Sequence, residues 1–320
     1  MSQIFWVDRQ SNDWDKLVLD IKEIYKKHPL EAVSVATKET PTVAFLKLLY
    51  RAPFLPLSLR RYIHKMSCQT NVDLGWFFEF SQYWSTVLEG RPLWGVQDFY
   101  FLMNLYRMHF QDNQIPETGD ASIHLAAWQR PELLYQLLHL VYKESIVDYA
   151  SLIRDIFRYN PRVRTILEFG CGTAPITASL FEFFGAKAGL KIYYSDIQTI
   201  AFHYAAYRFA KYKNAIPLML TSENGFKLSI TGPVDAITCI TVFEHLNEPL
   251  ETVRGFYNLL GRGGLLLFDY VNTSGEGMDT AQGARERSAV LDFVVEHFEI
   301  LRGSLSKTES TGLVIARKIN

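Results

Sequence analysis

Cysteine is scarce in this chain: Cys68, Cys171 and Cys239 are far apart and odd in number. That spacing makes neither a disulfide framework nor a metal cluster, and it suits a reducing cytoplasm. An excess of one charge is missing too. Among 320 residues there are 33 basic and 34 acidic side chains, net -1. A protein that neutralises nucleic-acid phosphates would carry a basic excess, so no nucleic-acid partner is expected. No apolar run reaches the roughly 18 residues of a membrane span. The opening MSQIFWVDRQ lacks the basic stretch and apolar core of a signal peptide. Internal repeats and low-complexity tracts are also absent. What remains is a globular mix, 48% hydrophobic and 21% charged, long enough for about two domains of roughly 150 residues each.

The two halves differ in packing chemistry, not in sign. Residues 1–160 hold 17 basic and 18 acidic side chains, and the rest hold 16 and 16. All six tryptophans, however, lie at or before Trp128. The first half reads as helical: Leu17, Ile21, Ile24 and Tyr25 repeat at helical spacing. Further helical stretches fall near 42–50, 58–67, 74–88, 96–111, 131–143 and 146–158, punctuated by prolines. The polar 111–122 reads as a loop. The second half alternates. Strand-like runs at 165–169, 191–195, 216–220, 234–240 and 264–270 are separated by helical stretches near 175–185, 198–211 and 249–260. A helix over 281–297 and a hairpin-like pair near 298–304 and 312–319 close the chain. Short apolar runs with helical crossovers predict an α/β domain over 161–320. Its sheet should have seven strands, the last antiparallel, preceded by a mainly helical domain over 1–160.

The most informative segment is Thr165-Ile-Leu-Glu-Phe-Gly-Cys-Gly-Thr-Ala-Pro175. A strand runs into a tight turn with Gly170 and Gly172, where glycine lets the backbone turn sharply and approach a ligand. Thr173 and Pro175 suit the start of the next helix. A dinucleotide fingerprint would place a third glycine where Pro175 stands, and an acid, Glu168, precedes the turn instead.

This pattern resembles the first motif of the class I S-adenosylmethionine-dependent methyltransferases, especially the small-molecule branch of the ubiquinone- and menaquinone-biosynthesis type. Three more stretches carry the resemblance: the acid Asp196 after the second strand, Asp235-Ala-Ile-Thr-Cys-Ile-Thr-Val-Phe-Glu-His245 in the fourth, and Leu259-Leu-Gly-Arg-Gly-Gly-Leu-Leu-Leu-Phe268 into the fifth. It covers about half the chain; the first half matches no such pattern. Ala174 departs from it, standing where a third glycine is frequent, and is expected to crowd the cofactor side slightly.

The resemblance implies S-adenosylmethionine as cofactor and a small-molecule methyl acceptor, and it distributes the roles. Gly170, Cys171, Gly172, Thr173 and Ala174 form the cofactor turn, with Glu168 acting within it through backbone N–H groups or a water. Asp196 takes both ribose hydroxyls or caps the following helix. Ile197 lies against the adenine, and Ser222 and Glu223 meet its edge or are ordinary loop residues. Thr241, Val242 and Phe243 line the methionine side. Methyl transfer needs alignment and exclusion of water, and a general base only where the acceptor must lose a proton. His245 is the candidate base or a structural histidine, and Tyr270 is a second candidate for meeting the acceptor. Relatives with a metal carry E-x-x-E-H here; this chain reads Thr241-Val-Phe-Glu244-His245, so no metal is expected.

Twelve aromatics between Trp76 and Phe110 would wall an aromatic or apolar acceptor, fill a helical core, or form a homodimer interface. His124 and Trp128 are placed to close over the cofactor or simply to pack. Arg51, Arg60, Arg61 and Lys65 form a basic cluster that would receive an acidic substrate or face solvent. Two other readings stand beside small-molecule methylation: methylation of a protein or RNA, and an inactive methyltransferase-like module that senses cofactor or binds a partner. A dehydrogenase would need the missing third glycine.

Overall fold

The computed structural model describes residues 75–87, 121–129, 149–184, 189–221, 226–272 and 279–319, with single positions between 133 and 141. Expectations for residues 1–74 and 88–120, the Arg51 to Lys65 cluster among them, lie outside the described residues. The chain divides into two units. One contains helix α1 (Gly75–Thr86). The other contains helices α2 (Ala121–Trp128) and α3 (Tyr149–Tyr159) together with everything that follows.

In the first unit, Phe80, Tyr83 and Trp84 are fully buried, with Phe80 and Trp84 at 5.8 Å between ring centres. These three of the twelve clustered aromatics are interior packing.

The second unit is built on one seven-stranded sheet. Its strands are β1 (Thr165–Phe169), β2 (Lys191–Ile197), β3 (Ala215–Leu220), β4 (Val234–Cys239), β5 (Leu260–Tyr270), β6 (Phe298–Arg302) and β7 (Thr311–Lys318), in spatial order β3-β2-β1-β4-β5-β7-β6. Neighbouring strands from β1 to β5 pair in parallel, and β7 runs antiparallel between β5 and β6. The crossover helices are α4 (Pro175–Phe184), α5 (Ile200–Phe209), α6 (Pro249–Leu259) and α7 (Ala281–His297). This is the Rossmann-like α/β architecture that the alternation predicts. The strand order reverses between β1 and β4, the switch point at which ligands of such sheets bind.

Continuous apolar runs in β1, β4 and β5 bury both faces, as a covered parallel sheet requires. One core layer gathers Phe169, Phe243, Phe256 and Phe268; a second gathers Ile153, Ile156, Ile166 and Ile315. Asp235 works at the far edge from the switch point: its carboxylate accepts the N–H groups of Arg164 and Thr165 at 2.7 and 2.8 Å, fixing the start of β1.

Helix α2 begins inside the stretch that reads as a loop to residue 122. Its sequence, ASIHLAAW, is apolar nearly all round and shows no amphipathic stripe. Among the described residues, no helix is long and apolar enough to cross a membrane.

Candidate functional site

The glycine turn is held from below. Glu168, at the end of β1, is buried and accepts the N–H groups of Ile176 and Thr177 at 3.0 and 2.8 Å and the Thr177 hydroxyl at 2.6 Å. A carboxylate on the free N–H groups of a helix start also meets the positive end of the helix dipole. Glu168 thus acts on the turn through backbone N–H groups. A second brace was not legible in the sequence: the buried Arg208 of α5 donates to the Thr173 carbonyl at 3.1 Å. Thr173 is itself buried.

Two glycines of the turn do different work, although both adopt positive φ, +62° at Gly170 and +52° at Gly172. A Cβ on Gly170 would lie within 2.7 Å of Val242 Cγ1 and closer still to Cγ2. A Cβ on Gly172 would meet nothing within 4 Å. Gly170 is therefore glycine because β4's exit packs on it, and Gly172 leaves an open cradle.

Ala174 takes φ +55°, a conformation costing an L-residue roughly 1–2 kcal/mol. Its methyl is fully buried against Cys171, Tyr194, Phe202 and Ala205, which returns roughly 0.8 kcal/mol for the buried carbon. The expectation that Ala174 crowds the cofactor side is corrected: the methyl points into the core. The Cys171 side chain points there too, leaving only backbone on the ligand side.

Asp196 ends β2 beside this turn. Its Oδ2 accepts the Gly172 N–H at 2.6 Å and its Oδ1 the Ile197 N–H at 2.7 Å. A carboxylate offers about four lone-pair sites, so two remain for a pair of ribose hydroxyls. The helix-cap alternative falls to a neighbour, since Thr199 accepts the Phe202 N–H at 3.1 Å. Burial pushes the Asp196 carboxyl up to about 6, against the pull of the two N–H groups and of His245. Ile197 is half-buried next to it. Ser222 and Glu223 lie outside the described residues.

Beyond β4 the chain passes through Thr241 at φ +52°, an outlier for a β-branched residue. Its N–H donates to Asp269 Oδ1 at 2.5 Å, and its side chain is exposed. Strained backbone of this kind is a recurrent feature of functional sites. Val242 and Phe243 turn inward, Val242 onto Gly170 and Phe243 into a stack with Tyr270 at 5.3 Å. Their side chains are buried, so only their backbone is left to line the methionine side. Tyr270 is buried likewise. It is 1% exposed, its hydroxyl donates to the Gly283 carbonyl, and burial pushes its ionisation well up.

His245 ends the 3-10 turn Phe243–His245, with its side chain 26% exposed. Nδ1 stands 3.2 Å from Asp279 Oδ1, and the Trp128 ring meets the imidazole edge-on at 5.3 Å. Of the two residues expected near the cofactor from the first half, Trp128 thus touches His245, and the side chain of His124 lies outside those described. Asp269 and Asp279 went unnoticed in the sequence, where nothing local marks them. Burial raises Asp269 above the usual carboxylate range, against the Thr241 N–H and His245.

Glu244 is 5% exposed and its Oε2 is buried without a hydrogen-bond partner. Burial pushes it up to about 7, with His245 pulling the other way. A carboxyl held above its unfolded value favours the protonated folded state, so stability falls as pH rises from about 4.5 towards 7 and then levels. Glu244→Gln should therefore gain stability relative to the natural protein as pH rises across that window. Melting curves at about pH 5 and pH 8 check this; a difference that does not change with pH would refute it. Among the described residues, no group of three or more His, Cys, Asp or Glu is placed to hold a metal.

The open cradle at Gly172, the unused acceptor sites of Asp196 and the polar edge around His245 fit a nucleoside bearing a short charged tail. Residues 167–266 match the methyltransferase-domain family. No curated protein matches the chain. Similar solved structures include the N-methyltransferase NodS from Bradyrhizobium japonicum WM9 in complex with S-adenosyl-l-homocysteine, at 16% identity and TM-score 0.40, covering 54% of this chain and 86% of that one. The N-terminal domain of EvdMO1 with SAH bound is similar at 16% identity and TM-score 0.40, covering 53% and 81%. A SAM dependent methyltransferase from Aquifex aeolicus is similar at 18% identity and TM-score 0.41, covering 61% and 97%.

Proposed function

We propose that this chain, whose residues 167–266 match the methyltransferase-domain family, is a class I S-adenosylmethionine-dependent methyltransferase that transfers the methyl group in line to a small, aromatic or apolar acceptor. The observation that carries the reading is the open turn at Gly172, with Asp196 bound to its N–H and His245 near enough to act on Asp196 electrostatically. Gly170 and Gly172 let backbone approach the methionine part of the cofactor. Asp196 receives the ribose hydroxyls, and Ile197 lies along the base.

The bound cofactor supplies a methyl carbon made electrophilic by the positive sulfur. The protein's share is alignment and exclusion of water. His245 stands at the exit of β4 and takes the proton when the acceptor loses one. Trp128, edge-on to His245, covers one side of the same space with an aromatic surface suited to a flat acceptor. The even charge balance supports a small molecule over RNA.

Calorimetry with S-adenosylhomocysteine tests the cofactor site. Asp196→Ala should weaken binding by about 1.5–3 kcal/mol, tenfold or more, through loss of charged hydrogen bonds. Because the ionised carboxylate is the better acceptor, affinity in the natural protein should rise as pH passes about 6. Equal binding by the two proteins would remove Asp196 from the site.

A further inference from the structure

We infer that Asp279 is a positioning residue for His245: it fixes the imidazole in the tautomer with the proton on Nδ1, so that Nε2 presents its lone pair as the base. The inference rests on the reading of His245 as proton acceptor, and its first test does not need that activity.

The geometry behind it is a clamp between two segments far apart in sequence. Thr280 is the N-cap of α7, its hydroxyl accepting the Gly283 N–H at 2.8 Å. The same residue reaches back to the turn that carries His245. Its N–H donates to the Glu244 carbonyl at 2.9 Å, and its hydroxyl donates to the Leu246 carbonyl at 2.5 Å. Both flanks of His245 are therefore tied to the residue directly after Asp279. Gly283 tightens the fit, because a Cβ there would meet the Glu244 carbonyl carbon at 2.9 Å and its oxygen closer still.

This backbone frame sets Asp279 Oδ1 at 3.2 Å from Nδ1, within hydrogen-bonding reach. The Asp279 side chain is 12% exposed and the imidazole 26%, so the pair is shielded from water but not sealed. Trp128 limits rotation of the ring from a third direction. Asp196, Glu244 and Asp269 also act on the imidazole electrostatically. Of these carboxylates and Asp279, Glu244 has an oxygen at 4.0 Å from Nε2, and Asp279 is the one at Nδ1. When a histidine ring nitrogen is held by a carboxylate, the partner bond decides which nitrogen keeps the proton. An imidazole locked this way also holds the positive charge it acquires on accepting a proton, stabilised by the adjacent carboxylate.

Long-range proton–nitrogen spectra of the full chain read the tautomer directly, with His245→Gln assigning the signals. The neutral His245 ring should be mainly Nδ1–H in the natural protein. In Asp279→Asn, whose amide can donate to Nδ1, the population should shift towards Nε2–H. S-adenosylhomocysteine binding and the melting temperature should stay close to those of the natural protein, which separates positioning from a structural role. With an acceptor in hand, Asp279→Asn should lower kcat by roughly tenfold or more with KM little changed, and Asp279→Glu should recover part of the loss. A mainly Nε2–H ring in the natural protein, or a tautomer balance untouched by Asp279→Asn, would overturn the assignment. If the tautomer shifts while methyl transfer is unaffected, the positioning of the ring stands and the reading of His245 as base fails.

Discussion

Gly170→Ala should lower the stability of the sheet domain by roughly 2–5 kcal/mol, from left-handed backbone strain and overpacking together. Gly172→Ala carries the first contribution only. Both positions hold similar positive φ, so strain alone would make them equal. The difference is Val242, whose methyls occupy the space that a Cβ on Gly170 needs, while Gly172 faces open space. At about 2–4 °C per kcal/mol for a domain of this size, Gly170→Ala should melt about 4–20 °C below the natural protein. Adding Val242→Ala to Gly170→Ala should recover part of that loss, a coupling that a double-mutant cycle measures. Gly172→Ala should melt only about 2–8 °C below the natural protein, from strain alone, and lose S-adenosylhomocysteine affinity as well. Equal destabilisation at both glycines, with no coupling to Val242, would show that strain and not steric contact sets the first position.

His245→Asn should reduce kcat by about 10²–10⁴-fold for an acceptor that must lose a proton, the usual contribution of a positioned base. Binding of S-adenosylhomocysteine should change much less, because Asp196 is held by the Gly172 and Ile197 N–H groups and His245 acts on it electrostatically. The assay is single-turnover transfer of a labelled methyl group to an acceptor found by screening small metabolites, with kcat followed across pH. In the natural protein the rate should fall on the acid side as the imidazole becomes protonated, and the variant should lose that limb. A variant with full kcat and the same pH profile would take His245 out of proton transfer and leave alignment as the protein's whole contribution.

The glycine turn and Asp196 were legible because they are written locally. A strand, a glycine pair and a helix start occupy Thr165 to Pro175, and Asp196 closes a second apolar run. Periodicity likewise marked all seven strands to within a few residues. The residues around His245 were hidden for the opposite reason. Asp279 lies 34 positions downstream of it, in a polar stretch with no motif, and only the docking of α7 brings them together. Tyr270 misled because a tyrosine after the fifth strand sits at the right sheet edge, yet its ring turns under Phe243 and its hydroxyl is taken by Gly283. Cys171 is buried, as a spacer in such a turn should be, whereas Ala174 misled, since a motif names a turn without saying which side each side chain takes. Helix α2 escaped because an all-round apolar octapeptide has no stripe to detect.

The clamp between Thr280 and the His245 turn also bears on the order in which the domain can be completed. The bonds from Thr280 to Glu244 and Leu246 span 36 and 34 residues, and closing such separations is slow compared with local turns. During synthesis the glycine turn and Asp196 emerge well before α7. A nascent chain ending after β5 would already contain the glycine turn and Asp196 and still lack the Thr280 bonds to the His245 turn. The glycine turn with Asp196 and the brace of His245 are therefore completed at different lengths of the same chain, the second waiting on α7.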